Sequence, residues 1–482
     1  SVCSLLFIPP SRPDYRLWGY YKGFDNMAEE PTYYSKTLIF SENKHTPRSF
    51  SAMLSYESER HNYDSYCRRY KCHSESYSDR KRSYMLDGKE KVPNAKDTST
   101  RTIIEKEFDR YIGEKEKYKG KYEDIYKDIA KEISDKEKYN DIVNDKNYKS
   151  VGEIIFILGS VCGYFIDMFG NIEIAQSNKP DIVELVKKIY SVFETAEAHD
   201  ILMNMDMGED AEYIDRIYMY CAQGNIRAVL DEYISMIKEE NSASSVQKLI
   251  KILNEEYFSV ISSRNNNITV KALADRNDTS KICDASIYLG IADGIIDDGK
   301  SVNTASVSNK LVLFNSPFRP FVFTSTSIGA EGLDFHWYCR NIVHWSLEMN
   351  PEKMQQKEGR VDRFHCHYVR QNLAADYGEQ ESWDKIYESA RSDYKNSMFE
   401  PDWIYCGKGK NKKYACLTRS TYYYPGSRED IEFERVKKNI DIYRALLGKS
   451  SLYDKLENVA EDKLKKLYLD LNPMNKEHTG KR

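Results

Sequence analysis

Two short stretches of this 482-residue chain carry side chains able to grip phosphate. The first is Gly329-Ala330-Glu331-Gly332-Leu333-Asp334. The second is Gln356-Lys357-Glu358-Gly359-Arg360-Val361-Asp362-Arg363. Arginine is always charged, and its planar fork matches phosphate oxygens. Two arginines at i and i+3 on one helical face can therefore hold a single phosphate group. Glycines at 329 and 332 permit positive φ and close backbone approach. Phe321-Val322-Phe323 reads as a strand leading into the first stretch, and Ile342-Val343 as a strand between the two. The expected order is strand, glycine loop, strand, then a helix presenting Arg360 and Arg363 to an open cleft, unengaged by internal carboxylates. The competing reading is a chance glycine turn followed by an arginine-bearing surface helix.

The elements needed to position these residues begin near the amino terminus. Lys36-Thr37-Leu38-Ile39-Phe40-Ser41 reads as a short buried strand and Ser41-Glu42-Asn43-Lys44 as its loop. Pro47 suits the first turn of a following helix that carries Phe50, Met53 and Leu54 and runs to Arg60. With these in place the chain resembles superfamily 2 helicases and translocases. The strand, loop and helix at 36–60 resemble their motif IV, residues 329–334 their motif V, and 356–363 their motif VI, Q-x-x-G-R-x-x-R. Asn350-Pro351 stands before Gln356 at the spacing of the chromatin-remodelling branch.

The resemblance implies an α/β fold: a RecA-like parallel sheet flanked by helices, interrupted by a large mainly helical insertion and followed by a helical C-terminal extension. It also implies ATP and Mg²⁺ held between two RecA-like domains, the first of which is not recognisable in this chain. That N-terminal domain, or a partner subunit in its place, would bind most of the ATP and Mg²⁺. Arg360 and Arg363 are then the catalytic arginines, with Gln356 beside the nucleotide. Gly329, Gly332, Asp334 and Gly359 line the ATP side. Ser41, Lys44, Thr326 and Ser327 contact the phosphates of a nucleic acid, DNA in the first instance. The reading from another class is a non-catalytic nucleic-acid-binding or regulatory module that keeps this fold.

Bulk composition does not advertise a polyanion partner: net charge is −5 and the pI near 6.1, so any nucleic-acid footprint is local. Mean hydropathy of −0.69 and the lack of a long apolar run argue against a membrane span. No signal peptide is visible, and ten scattered cysteines read as reduced thiols, so a bacterial cytoplasmic location is expected. Cys67 and Cys72-His73 lack a second pair at zinc spacing, and His365-Cys366-His367 reads as surface.

Along the chain, residues 1–30 read as a packed linker from a preceding domain. Residues 31–60 with 268–372 form the RecA-like unit, 61–267 the helical insertion and 373–482 the extension. Within the insertion, Gly224 marks a break between two helices. Gly294-Ile295-Ile296-Asp297-Asp298-Gly299-Lys300-Ser301 matches the phosphate-loop pattern. It is set aside for a surface turn, because two aspartates would face a triphosphate and VNTASVSN is a poor helix former. A true phosphate loop there would make Lys300 central.

Overall fold

The computed structural model describes residues 2–12, 17–24, 34–43, 45–71, 83–91, 98–118, 152–208, 211–262, 267–271, 282–286, 289–292, 304–326, 333–378, 382–395, 397, 399–409, 414–422, 426 and 428–446. Its frame is a five-stranded sheet. The strands are β1 (Lys36–Ser41), β4 (Gly290–Ala292), β5 (Val322–Thr326), β6 (Cys339–His344) and β7 (Thr418–Thr421), in the order β4-β5-β1-β6-β7, all parallel. β2 (Asn267–Lys271) and β3 (Ile282–Ser286) form a separate antiparallel pair. Parallel strands are covered on both faces, which is why β1 carries the unbroken apolar run Leu38-Ile39-Phe40. Leu38 and Phe40 of that run pack with Ile291, Phe314, Phe323, Phe335, Ile342 and Val361.

Helix α1 (Thr46–Tyr70) lies against β4 and β5 and extends ten residues beyond the expected end at Arg60. Its buried face is polar and small: Ser51, Ser55 and Ser58 are covered, while Met53 is exposed. Ser51 Oγ and Thr324 Oγ1 are 2.9 Å apart, and Thr324 donates to the Pro47 carbonyl. A Cβ on Gly290 would stand 3.0 Å from the Ser51 Cα, so glycine is what lets the helix approach this closely.

Between α1 and β4 stands the helical insertion, including α2 (Thr98–Tyr118), α3 (Tyr213–Gln223) and α4 (Ile226–Asn241). The apolar run at 154–165 forms two helices, Glu153–Gly159 and Val161–Met168, broken where Ser160 caps the second. The break between α3 and α4 falls at Gly224 and Asn225, as the glycine predicts; Asn225 takes the left-handed conformation and caps α4. Glu107 is buried on α2, where Ser160, Tyr190 and the Cys162 amide donate to it. Burial nevertheless pushes its carboxyl up to about 7.

In the stretch read as a packed linker, Leu5, Leu6, Phe7 and Ile8 are buried in the insertion's core, with Phe318, Phe321 and Tyr338 from the sheet's amino end. Two expectations need correction. The unit containing the sheet does not end at 372, which falls inside α7 (His367–Tyr377), and β7 comes from the stretch assigned to the extension. A helix, α5 (Thr304–Phe314), covers most of VNTASVSN, because burial of its carboxyl-terminal turn at Phe314 overrides weak local propensity. The pattern at 294–301 lies outside the described residues.

The remaining helices are α6 (Pro351–Glu358), α8 (Trp383–Asp393) and α9 (Arg428–Leu446). A fully buried ion pair joins these parts: Arg370 on α7 donates through Nε to Glu232 on α4 at 2.9 Å. The Ser11 hydroxyl and amide donate to the same carboxylate at 2.8 and 3.0 Å. Removing one partner of such a pair strands a buried charge, so Glu232→Ala is expected to lower stability by about 3–5 kcal/mol in urea denaturation.

Glu107 gives a pH test. Its folded value lies above its ordinary 4.5, so the native state holds an extra proton between about 4.5 and about 7. The stability it contributes therefore falls as pH rises through that window. Glu107→Gln is expected to flatten the fall, read as a smaller change in denaturation midpoint between pH 4.5 and 7 than the native chain shows.

Candidate functional site

The sheet separates the expected site residues into two groups. β1 and β5 end side by side, with Ser41 paired in register with Thr326. Asp334 precedes the start of β6 by five residues and lies at the opposite, amino end, where Asn315 at the close of α5 donates to its carbonyl at 2.8 Å. The chain between Thr326 and Leu333 joins the two ends. Ser327, Gly329 and Gly332 belong to it and lie outside the described residues, as does Lys44.

At the amino end the residue 333–335 and 360–363 segments meet. The Phe335 amide donates to the Arg360 carbonyl at 2.9 Å, and Arg360 Nη1 donates to the Leu333 carbonyl at 3.3 Å. Arg363 Nη2 stands 3.1 Å from Asp334 Oδ1, with the two side chains 44% and 48% exposed.

The helix expected to present both arginines stops short of them. α6 ends at Glu358 with Gly359 as its C-cap, and Arg360 and Arg363 follow in a turn. The reason is Val361: the turn sends this residue into the apolar core under the sheet, leaving the arginines on either side of it at the surface. Arg363 is also not unengaged, since it pairs with Asp334. Gln356 is exposed, and among the described residues its side chain donates to Glu352, at 3.4 Å, one turn earlier. Thr326 is half-buried at the end of β5.

At the carboxyl end, Ser41 is buried and its hydroxyl accepts from the Asn43 amide at 3.2 Å. It holds its own loop, which is the local role polar residues in turns usually take.

A buried node lies two residues beyond Arg363. His365 was read as surface, but the ring is buried and its backbone left-handed, at φ 51°. Nδ1 faces Glu239 of α4 at 2.9 Å and Nε2 faces Asp402 at 2.7 Å. The ring lies between Phe364 and Tyr387, with centroids at 3.9 and 4.2 Å, and Arg391 closes the cluster onto Asp402. The hydrogen bond with His365, foremost, holds Glu239 below the usual carboxylate range. Burial opposes ionisation of Asp402, but its bonds to His365 and Arg391 outweigh that and lower it too. No local pattern marks this node, because its members come from α4, the turn and the extension. Nearby, burial first and then the charges of Arg370 and Arg363 push His336 down to about 3, so it is neutral at physiological pH.

The arrangement can present two guanidinium groups and one carboxylate from a single surface. Among the described residues no group of three or more His, Cys, Asp or Glu side chains is placed to hold a metal ion. Nor is any helix among them long and apolar enough to cross a membrane. In comparisons with known proteins, no family model, no curated protein and no solved structure matched this chain.

Exposure decides what the Arg363–Asp334 pair is worth. Such pairs contribute about 0.2–1 kcal/mol, so Asp334→Ala is expected to leave the thermal midpoint almost unchanged. His365→Ala removes a buried ring packed between Phe364 and Tyr387 and leaves Glu239 and Asp402 with Arg391 as partner, so it should cost more, on the order of 2 kcal/mol. A comparable loss in both would make the Arg363 pair structural.

Proposed function

We propose that this chain is the arginine-bearing RecA-like motor domain of an ATP-dependent helicase or translocase acting on nucleic acid, with DNA the first substrate to test. The observation that carries the reading is the meeting of the two stretches at one end of a parallel sheet: Asp334 and Phe335 against Arg360 and Arg363. They are separated in sequence by a strand and a helix, and chance motifs have no reason to converge.

In this reading a separate RecA-like domain supplies the phosphate loop and the carboxylates for Mg²⁺, and this chain closes the pocket from the other side. Mg²⁺ would neutralise charge on the phosphate oxygens. Arg360 and Arg363 are the groups of this chain suited to the γ-phosphoryl oxygens as charge spreads over them, an effect worth roughly 10³–10⁵ in rate for arginine fingers. Arg363 can exchange the Asp334 carboxylate for phosphate at little cost, because an exposed pair is weak. Asp334, once released, is suited to a ribose hydroxyl. Gly359 ends α6 so that the turn reaches the cleft, and Gln356 stands one turn back. Closure follows from contacts the arginines gain only with nucleotide between the domains, and opening from their loss on hydrolysis. Ser41 shapes the loop after β1, while Thr326 faces the end of the sheet assigned to strand phosphates.

The Arg363–Asp334 pair also favours a second reading, a non-catalytic nucleic-acid-binding module in which the arginine is permanently engaged. Kinetics separate the two. This chain alone should show little ATP hydrolysis. In the motor assembled with its phosphate-loop half, Arg363→Ala should lower kcat by roughly 10³-fold or more while the Kd for DNA stays within a few-fold. Unchanged turnover would remove the arginine-finger role, and strong turnover by the isolated chain would remove the half-site.

A further inference from the structure

The turn that carries Arg363 is closed by the residues just after it. The Cys366 amide donates to the Arg363 carbonyl at 3.1 Å. Between them, His365 is tied at every polar atom. Its amide donates to the Asp402 carbonyl at 2.9 Å, and its carbonyl accepts from Arg370 Nη1 at 2.7 Å. Nδ1 faces Glu239 and Nε2 faces Asp402. Neither carboxylate is local. Glu239 stands in the last turn of α4, inside the helical insertion, and Asp402 lies in the stretch after α8. Arg391 of α8 reaches both, at 3.8 Å from Glu239 and 2.9 Å from Asp402.

A residue with a Cβ keeps a left-handed backbone only where its surroundings impose one. Stacking between Phe364 and Tyr387 confines the plane of the His365 ring. The two carboxylates fix the direction in which the ring points within that plane. Glu239 is 45% exposed, so what it supplies is a polar contact rather than core packing. Loss of that contact leaves the ring stacked but free to turn, and the backbone at 365 is two bonds of chain away from Arg363.

We infer that His365 is a positioning residue for Arg363 and that Glu239 brings the insertion into its setting. Together they hold the left-handed turn that presents the Arg363 guanidinium beside Asp334. The catalytic consequence rests on the motor reading and adds regulation to it: the insertion governs hydrolysis through the Glu239–His365 contact, and displacement of α4 withdraws the arginine.

Hydrogen exchange in the 482-residue chain tests the placement, read from peptides covering 359–367. Glu239→Ala should speed exchange severalfold in that segment, with β1, β5 and the thermal midpoint close to native. Glu239→Gln keeps an acceptor oxygen and should recover most of the protection. His365→Gly removes the ring while tolerating the positive φ, so it isolates the ring's bonds from backbone strain; it should loosen the same segment. Native protection in both Glu239→Ala and His365→Gly would overturn the positioning and leave the motor reading standing. In the motor assembled with its phosphate-loop half, Glu239→Ala should lower kcat on the order of 10- to 100-fold, with KM for ATP little changed and Glu239→Gln restoring turnover. A loosened turn with native kcat would also overturn the positioning. Native turnover in Arg363→Ala would overturn the motor reading, whatever the exchange shows.

Discussion

The molecule turns on a charge that water never reaches. Arg370 is fully buried, and its guanidinium is met from several directions: the Glu232 carboxylate of α4, the His365 carbonyl beyond the arginine turn, and the Trp337 carbonyl ahead of β6. Burying such a group is costly unless its donors are matched, and a mismatched arrangement would be rejected by several kcal/mol. The pair therefore admits essentially one relative placement of insertion, turn and sheet. Ser11 completes the carboxylate, which draws the amino-terminal segment into the same constraint.

That constraint bears directly on the arginine turn. Arg363 lies between Val361, pinned in the core below the sheet, and His365, pinned by carboxylates from α4 and the extension. Its backbone is held on both sides while its side chain stays at the surface. Pre-organisation of this kind is what a charge-stabilising group requires, since reorganisation at the moment of reaction is avoided. The insertion, which looks like an interruption of the sheet, thus supplies part of the scaffold for the arginine turn.

Legibility differed sharply from element to element. β1, β5 and β6 could be placed because a buried parallel strand is a dense apolar run, and Leu38-Ile39-Phe40 and Phe321-Val322-Phe323 are such runs. The helix break at Gly224 was legible for an equally local reason. β7 was not: Thr418–Thr421 has no apolar signature and becomes a strand only because β6 offers an unpaired edge. α5 was misjudged because burial of its carboxyl-terminal turn outweighs the propensities of Ser, Thr and Asn. His365 was misjudged because residue type alone cannot tell a solvated histidine from one enclosed by Glu239 and Asp402, which are remote in sequence.

By itself the sequence determined which residues could meet phosphate, since arginine, glycine and aspartate at those spacings carry their chemistry wherever the backbone places them. It also determined the buried strands, whose hydrophobic content is a local property. Only the tertiary structure decided that Arg360 and Arg363 stand in a turn rather than on a helix, because Val361 between them is drawn into a core built from other strands. Only the tertiary structure paired Arg363 with Asp334. Such a meeting depends on strand order, and strand order is a property of the whole chain.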